Sequence, residues 1–261
     1  LLGGFGSAYL SDYLRQSFTT REETQRALKR PVIAALPFIR SETSEAQQFA
    51  VEIRHAAQRI LRTYHAQGLR TILVTSTLSG EGRSYVAEAM ARALSELKFR
   101  VLLILVENVE SQRRIGRNQP SSLLGRGLQR VGQDIEVIPE PIERQHLYEL
   151  RLRNQGGTEL EFAERLTEVT KTMRDRFDLI VLDVPPMPSF PEMRLTVATM
   201  DGTMVVVEAE RTTQAAAART LDTVEEAGGH LLGIVLNKCR YVIPSEVYDR
   251  FVASGKGSAR E

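Results

Sequence analysis

Several residue types that mark special classes of protein are scarce in this chain of 261 residues. There is no tryptophan and only one cysteine, Cys239, which excludes both an internal disulfide and a cysteine metal cluster. No apolar run reaches the ~20 residues that a membrane-spanning helix needs. The formal net charge of +1 provides no overall field for nucleic acid, and no nucleic-acid partner is predicted.

The first residues, "LLGGFGSAYL", are apolar and glycine-rich, and the chain becomes polar after them. They fit either the cytosolic end of a membrane helix or a frayed amphipathic segment. The first interpretation predicts membrane contact through the N-terminus. We assign residues 1–18 to a juxtamembrane segment, 19–253 to one domain whose N-terminal helical extension is 19–68, and 254–261 to a disordered tail.

Beyond the extension, apolar runs alternate with helical patterns. Continuous apolar runs are typical of strands buried on both faces, and their alternation with helices predicts a mostly parallel sheet between two helical layers, an α/β fold. The predicted strands are 31–37, 71–76, 100–106, 135–139, 178–183, 202–209 and 231–237. The predicted helices are 21–30, 44–68, 84–97, 158–176 and 212–227, and the first begins with Thr20 and Glu23 at capping-box spacing.

The stretch 111–133 contains five arginines and no acid. It fits a solvated loop, or a surface for an acidic partner, a neighbouring subunit or anionic lipid headgroups. The arginines are Arg113, Arg114, Arg117, Arg126 and Arg130.

The segment "STLSGEGRS" follows the strand "TILVT" and precedes a helix. Gly80 and Gly82 allow a tight turn that directs backbone N–H groups at a phosphate, and the helix N-terminus adds positive potential. Ser84 occupies the position whose hydroxyl reaches magnesium in a P-loop, whereas Arg83 occupies the position where such loops carry lysine.

A second element, "FDLIVLDVPP", is an apolar strand that ends in Asp183. A carboxylate at the end of a buried strand is costly unless it is paired. Its expected partner beside a P-loop is hydrated magnesium. Together the two elements predict a three-layer P-loop NTPase architecture.

With these motifs, the chain resembles the cytoplasmic domain of bacterial tyrosine autokinases, the BY-kinases attached to exopolysaccharide co-polymerases, within the wider group of partitioning (ParA/MinD-type) ATPases. The resemblance also covers "SFTTREETQRALKRPVIAALP" and the last strand–helix–strand unit, where Asn237-Lys238 matches a pair near the nucleotide base. It implies ATP or ADP with Mg²⁺, the metal being held by Ser84 and Asp183. Catalytic roles fall to Asp183 and Arg83, with Glu107 as a further candidate. The expected nucleotide-binding residues are Thr77, Ser79, Gly80, Glu81, Gly82, Arg83, Ser84, Tyr85 and Asn237.

Two departures from the family bear on chemistry. Arginine in place of lysine at position 83 is wider and planar, so it holds phosphate at a different point. The family's second acidic pair also ends a strand, and here Leu105 and Glu107 occupy its two positions. Leucine can neither coordinate magnesium nor accept a proton. A register shift of two residues would place Glu107 at the first acid position.

The family's oligomerisation motif has no clean match in 44–66, because Glu52, Arg54 and Arg59 do not have its spacing. Its C-terminal tyrosine cluster is missing too, since only Tyr241 and Tyr248 lie near the end.

The favoured hypothesis is a weakly active or inactive tyrosine-kinase-like regulator that binds ATP. It would be a co-polymerase domain in exopolysaccharide or capsule biosynthesis and export, at the cytoplasmic face of the bacterial inner membrane. Its partners would be further copies of itself or the export machinery. The alternatives are an active tyrosine autokinase and a partitioning-type ATPase. Against the last, Thr77, Leu78 and Ser79 fill the region where many such loops carry a second lysine.

Overall fold

The structure is a computed structural model that describes residues 17–39, 44–107, 128–131, 134–137, 140–141, 146–154 and 157–240. Several predictions concern residues outside these ranges. They are the juxtamembrane segment up to residue 16, most of the basic stretch 111–133, the C-terminal tail, Tyr241 and Tyr248.

Seven parallel strands form the main sheet, in the order β1–β10–β9–β2–β8–β3–β7, and the short strand β6 pairs antiparallel with β7 at one edge. The strands are β1 (Val32–Pro37), β2 (Thr71–Ser76), β3 (Val101–Glu107), β4 (Leu128–Val131), β5 (Asp134–Val137), β6 (Glu140–Pro141), β7 (Leu147–Arg153), β8 (Leu179–Asp183), β9 (Gly202–Glu208) and β10 (Leu231–Cys239).

Helices cover both faces of this sheet. They are α1 (Arg21–Leu28), α2 (Ser44–Gln67), α3 (Arg83–Glu96), α4 (Glu159–Met173), α5 (Met193–Thr199) and α6 (Gln214–Glu226), with a short 3₁₀ helix at Met187–Ser189. One core cluster includes Phe162, Val197 and Leu221 of α4, α5 and α6, and the other includes Phe49 and Met90 of α2 and α3. The predicted α/β sandwich is therefore confirmed.

Successive residues of each central strand face opposite clusters. In β8, Ile180 and Leu182 belong to the cluster under α4–α6, whereas Leu179 and Val181 belong to the one under α2 and α3. Both faces of these strands are thus shielded from solvent, which explains the continuous apolar runs in the sequence. By the same alternation, Asp183 lies on the face that α3 covers.

Two parts of the strand prediction were wrong. The predicted strand 135–139 is not part of the main sheet, because β5 pairs antiparallel with β4 in a separate two-stranded sheet. The seventh parallel strand, β7, was not predicted. Its sequence "LYELRLR" alternates apolar and polar residues, as expected for a partly exposed strand near a sheet edge.

The N-terminal extension is packed onto the domain. Strand β1 pairs with β10, and Phe18 is fully buried in the core although it falls within the proposed juxtamembrane segment. Arg21 donates to the Ile33 carbonyl oxygen at 3.1 Å and pairs with Glu52 of α2 at 3.3 Å. None of the helices within the described ranges combines the length and apolar character needed to cross a membrane.

Candidate nucleotide-binding site

The predicted phosphate loop connects β2 to α3 at the carboxyl edge of the sheet. Gly80 and Gly82 both have φ of +84°, a left-handed conformation that glycine adopts without steric cost. A Cβ atom on Gly82 would lie 2.3 Å from Asn237 Nδ2, so the loop also approaches β10 too closely for a side chain. The two glycines therefore shape the loop as the sequence predicts.

Helix α3 begins at Arg83 with its amino end open. Its N-cap, Gly82, supplies no side-chain acceptor, and its first turn contains no acidic residue. The first N–H groups and the helix dipole are consequently available to an anion. In addition, the buried hydroxyl of Thr77 has no hydrogen-bond partner among the described residues.

Glu81 points into the protein from the middle of the loop and is fully buried. Its carboxylate accepts hydrogen bonds from the Leu78 N–H at 2.8 Å, from the Thr212 hydroxyl and from the Glu208 N–H at 3.4 Å. Burial raises the pKa of the Glu81 carboxyl, and these hydrogen bonds offset only part of the increase. Glu81 thus ties the loop to the segment after β9, and its role as a nucleotide ligand stays a prediction.

Residues at the ends of β9 and β10 hold the loop through its carbonyl oxygens. Asn237 Nδ2 donates to the Glu81 carbonyl at 2.8 Å, and Lys238 Nζ donates to that of Gly80 at 2.7 Å. Arg211 donates to the Ser79 carbonyl oxygen at 3.1 Å. The pair Asn237-Lys238 was singled out in the sequence, and the structure brings both side chains to the loop.

Glu208, Arg211 and Thr212 were not predicted. Glu208 pairs with Arg211 at 2.7 Å and with Lys238 at 3.0 Å. Burial alone would raise the pKa of Glu208, but these two cations hold it below its usual value. A usable signal was present, since the polar segment "ERTT" follows directly on the strand β9, at the edge where ligands bind in such sheets.

Asp183, the last residue of β8, forms an ion pair with Arg83, in which Arg83 Nε donates to Asp183 Oδ1. The side chain of Asp183 is 4% exposed and that of Arg83 is 16% exposed. Arg83 Nη2 also lies 3.4 Å from Ser84 Oγ. Burial raises the pKa of the Asp183 carboxyl, and the Arg83 charge, with hydrogen bonds from Ser84 and Arg83, counteracts part of that rise. The partner of this carboxylate is thus a residue of the loop itself.

Leu105 lies beside Asp183 on the neighbouring strand. The two Cα atoms are register partners in the β3–β8 pair, and Leu105 is paired on its other side with Arg151 of β7. Register partners share a face of the sheet, so the position next to Asp183 carries a half-buried leucine instead of an acid. Glu107 is the last residue of β3, two positions further on.

Tyr85, the remaining predicted residue, lies in the first turn of α3. It is 54% exposed, and its ring centroid is 5.1 Å from that of Phe49 in α2. Beside the loop, a groove of about 310 Å³ is lined by Phe38, Glu208, Ala209, Glu210, Arg211, Lys238 and Arg240.

The arrangement fits a nucleotide phosphate better than it fits magnesium. The open end of α3, the glycine turn and the unpartnered Thr77 hydroxyl suit an anion. The carboxylate expected to hold magnesium is instead paired with a guanidinium.

No family model matches the sequence. Similar sequences are found among curated proteins. CapB of Staphylococcus aureus and EpsB of Ralstonia solanacearum both carry the name "putative tyrosine-protein kinase". CapB is 21% identical over 175 residues, 65% of this chain and 75% of CapB. EpsB is 24% identical over 236 residues, 86% of this chain, but the match spans only 28% of EpsB. The chromosome-partitioning ATPase Soj of Thermus thermophilus is 29% identical over 181 residues, 64% of this chain and 69% of Soj.

Solved tyrosine kinase domains have a similar fold. The kinase domain of the Escherichia coli tyrosine kinase ETK superposes with a TM-score of 0.67 at 13% identity, covering 86% of this chain and 96% of that domain. The BceF tyrosine kinase domain gives a TM-score of 0.65 at 17% identity, covering 86% and 100%. These likenesses confirm the predicted P-loop fold. In sequence this chain is therefore similar to bacterial tyrosine-protein kinases, and in fold to their kinase domains, which is the resemblance that its loop and Asp183 motifs predict.

Proposed function

We propose that this chain is the cytoplasmic P-loop domain of a polysaccharide co-polymerase, a weakly active or inactive tyrosine-kinase-like regulator that binds ATP or ADP. It would act in exopolysaccharide or capsule biosynthesis and export at the inner membrane. Its partners would be further copies of itself or an export protein, with membrane contact through the N-terminus.

The observation that carries this proposal is the Arg83–Asp183 ion pair next to Leu105. Phosphoryl transfer depends almost entirely on positioning and on stabilising charge around the moving phosphoryl group. Here one acid is neutralised by a guanidinium and its neighbour is a leucine. The loop that binds phosphate is retained, whereas the groups that would drive transfer are altered.

The nucleotide would lie along the loop. Phosphates would meet the N–H groups at the start of α3, the Thr77 hydroxyl and Arg83. The base would lie near Asn237 and the groove beside it, where Phe38 offers an apolar surface. When bound, ATP would supply the transferable phosphoryl group. The protein's own residues would hold and orient it, and Arg83 would carry positive charge toward it.

Two other functions compete with this proposal. An active autokinase would require Glu107 to replace the missing acid beside Asp183. A partitioning-type ATPase is supported by the 29% identity with Soj. Both would turn over ATP, and the autokinase would also phosphorylate tyrosine, so measurements of product separate the three.

We expect weak or no ATP-dependent tyrosine phosphorylation when the purified chain is incubated with ATP and magnesium and examined by anti-phosphotyrosine immunoblot. Release of inorganic phosphate should stay at the background of Asp183→Asn. Loss of one charge-stabilising group costs ~10²–10³ in rate, and here two groups are altered. A strong signal that disappears in Asp183→Asn would contradict the regulator and support the autokinase. Phosphate release without phosphotyrosine would support the ATPase.

The variant Leu105→Asp tests whether one missing acid explains the lack of transfer. We expect no gain of phosphorylation, because the new carboxylate would lie between Asp183, already paired with Arg83, and Arg151. The double variant Arg83→Lys/Leu105→Asp is the matched comparison. Phosphorylation by the single variant alone would show that Arg83 is compatible with transfer.

A further inference from the structure

We propose that Arg83 is the resident cation of this site, so that the chain binds nucleotide phosphates without magnesium. This inference rests on the nucleotide binding proposed above and specifies its metal requirement. The P-loop fold implies magnesium, but the residues around Asp183 do not suit that ion, and the inference follows from this mismatch.

The first step concerns Asp183. A carboxylate that holds magnesium through water must have its oxygens directed at the metal. Asp183 Oδ1 accepts instead from Arg83 Nε, and the side chain is nearly inaccessible to solvent. Magnesium would have to displace the guanidinium from a buried partner. The exchange would lose the existing ion pair and its hydrogen bond, and that loss offsets part of what the metal gains.

The second step concerns the surrounding ligands. Magnesium requires a near-octahedral set of oxygens and usually keeps one or two carboxylates together with phosphate oxygens and waters. The strand position beside Asp183 carries Leu105, which contributes no oxygen. The Ser84 hydroxyl, predicted to reach the metal, hydrogen-bonds to Asp183 and lies 3.4 Å from Arg83 Nη2. The guanidinium thus contacts both predicted metal ligands.

The third step concerns the charge that replaces the metal. A guanidinium has five N–H donors in a planar fork, and within the described ranges Arg83 directs two of them at Asp183 and Ser84. The others are available to phosphate oxygens. Arg211 and Lys238 also bind carbonyl oxygens of the loop, at Ser79 and Gly80. Three cations therefore surround the loop. Asp183 balances Arg83 and Glu208 balances one of the other two, which leaves one net positive charge for phosphate without a metal.

The test is a calorimetric titration of ATP into the full 261-residue chain, in millimolar MgCl₂ and again in excess EDTA. We expect the dissociation constants in the two buffers to agree within about threefold. The same pair of titrations is made on Arg83→Lys, in which the shorter, compact ammonium releases Asp183. This variant should bind ATP at least about tenfold more tightly with magnesium than without it.

Arg219→Lys, an exposed change of the same kind on α6, is the matched control. Its ratio of ATP dissociation constants in the two buffers should equal that of the wild type. Thermal unfolding of each variant verifies that it is folded. Asp183→Asn, titrated with ATP in the same two buffers, is a second test. If Asp183 only orients Arg83, the variant weakens binding by the same factor in both buffers.

Each other result has a defined meaning. Wild-type binding that is lost in EDTA would overturn the inference and leave the proposed nucleotide binding intact. The inference would also be overturned if Arg83→Lys bound ATP equally well with and without magnesium. Arg83 would then not be the reason that the wild type needs no metal. Absence of ATP binding in both buffers would overturn the proposed nucleotide binding itself.

Discussion

Two carboxylates at the amino ends of the parallel strands have different surroundings from two at the carboxyl ends. At the amino ends, Asp178 accepts the Arg100 N–H at 2.7 Å, and Asp201 accepts the N–H groups of Arg70 and Thr71, each at 2.8 Å. At the carboxyl ends, Asp183 and Glu81 are buried, and burial raises the pKa of both. Their charged forms are only partly compensated by the groups around them.

The Asp201 side chain shows the difference most clearly. Burial alone would raise the pKa of Asp201, but the Arg70 and Thr71 N–H groups, the Thr71 hydroxyl and Arg174 together hold it below its usual range. This carboxylate contributes stability as a charged group. The two at the other end cost stability as charged groups, which is common where a site is arranged for a ligand. Burial would also raise the pKa of Glu208, another carboxylate at the carboxyl end, but Arg211 and Lys238 hold it below the usual value, so the contrast is between Asp201 and the pair Asp183 and Glu81.

The largest effect is expected at the amino end. Replacement of Asp201 by alanine should lower the free energy of unfolding by about 3 kcal/mol, because several hydrogen bonds to a charged acceptor are lost together. Chemical denaturation at neutral pH measures it. In the wild type this contribution is present above the unfolded-state pKa of aspartate and is lost as pH falls through the lower folded-state pKa.

Asp178→Ala is the matched control, since Asp178 accepts one backbone N–H, and it should cost about 1 kcal/mol. ATP binding should be unchanged in both variants. A loss at Asp201 no larger than at Asp178 would mean that the additional hydrogen bonds contribute little, and the contrast between the two ends would fail.

The second effect tests the geometry of the binding end. Gly82 and Gly68 both have positive φ, +84° and +70°, but only Gly82 is crowded by a neighbour, Asn237. Gly68→Ala should cost about 1 kcal/mol, the usual penalty for a left-handed alanine. Gly82→Ala should cost about 2 kcal/mol or more, because Asn237 must also move. Denaturation curves of the two variants measure the difference.

ATP titration completes this prediction. Gly82→Ala should weaken ATP binding, whereas Gly68→Ala should not, because Gly68 precedes the amino end of β2, opposite the loop, and has open space around it. Equal losses of stability in the two variants would show that Asn237 moves away from the new methyl group at little cost.

Much of this arrangement could be predicted from local sequence. The strand β2, the glycine turn and Asp183 at the end of β8 all depend on patterns within about ten residues, and the parallel sheet follows from continuous apolar runs. Strand β7 was missed because its alternation, "LYELRLR", differs from those runs. The separate β4–β5 hairpin was missed because β5 alone resembles a short buried strand.

The parts that sequence did not reveal depend on pairs far apart in the chain. Arg83 was recognised as unusual, but its contact with Asp183 spans 100 positions. The direction of the Glu81 side chain was not predicted: it turns inward, where the hydroxyl of Thr212, 131 positions away, donates to it. A loop side chain can face ligand or protein, and only the packed neighbours determine which.

The smallest effect concerns the pH dependence of stability at Glu81. Because its folded-state pKa is raised, the native chain binds more protons than the unfolded chain between the unfolded and folded values. The contribution of Glu81 is therefore most favourable at low pH and declines as pH rises through the folded-state pKa. Glu81→Gln removes this titration while keeping one oxygen to accept the Leu78 N–H.

Denaturation of wild type and Glu81→Gln across the acidic to neutral range should show the wild type losing stability relative to the variant as pH rises. At the acidic end the two should agree within about 1 kcal/mol, since a protonated carboxyl and an amide make similar hydrogen bonds. Asp183 titrates in both proteins and cancels in the difference. Glu226→Gln, an exposed change on α6, is the matched control. A wild type that gains stability relative to Glu81→Gln with rising pH would mean that the charged carboxylate is fully compensated, as Asp201 is, and the two ends of the sheet would then be alike.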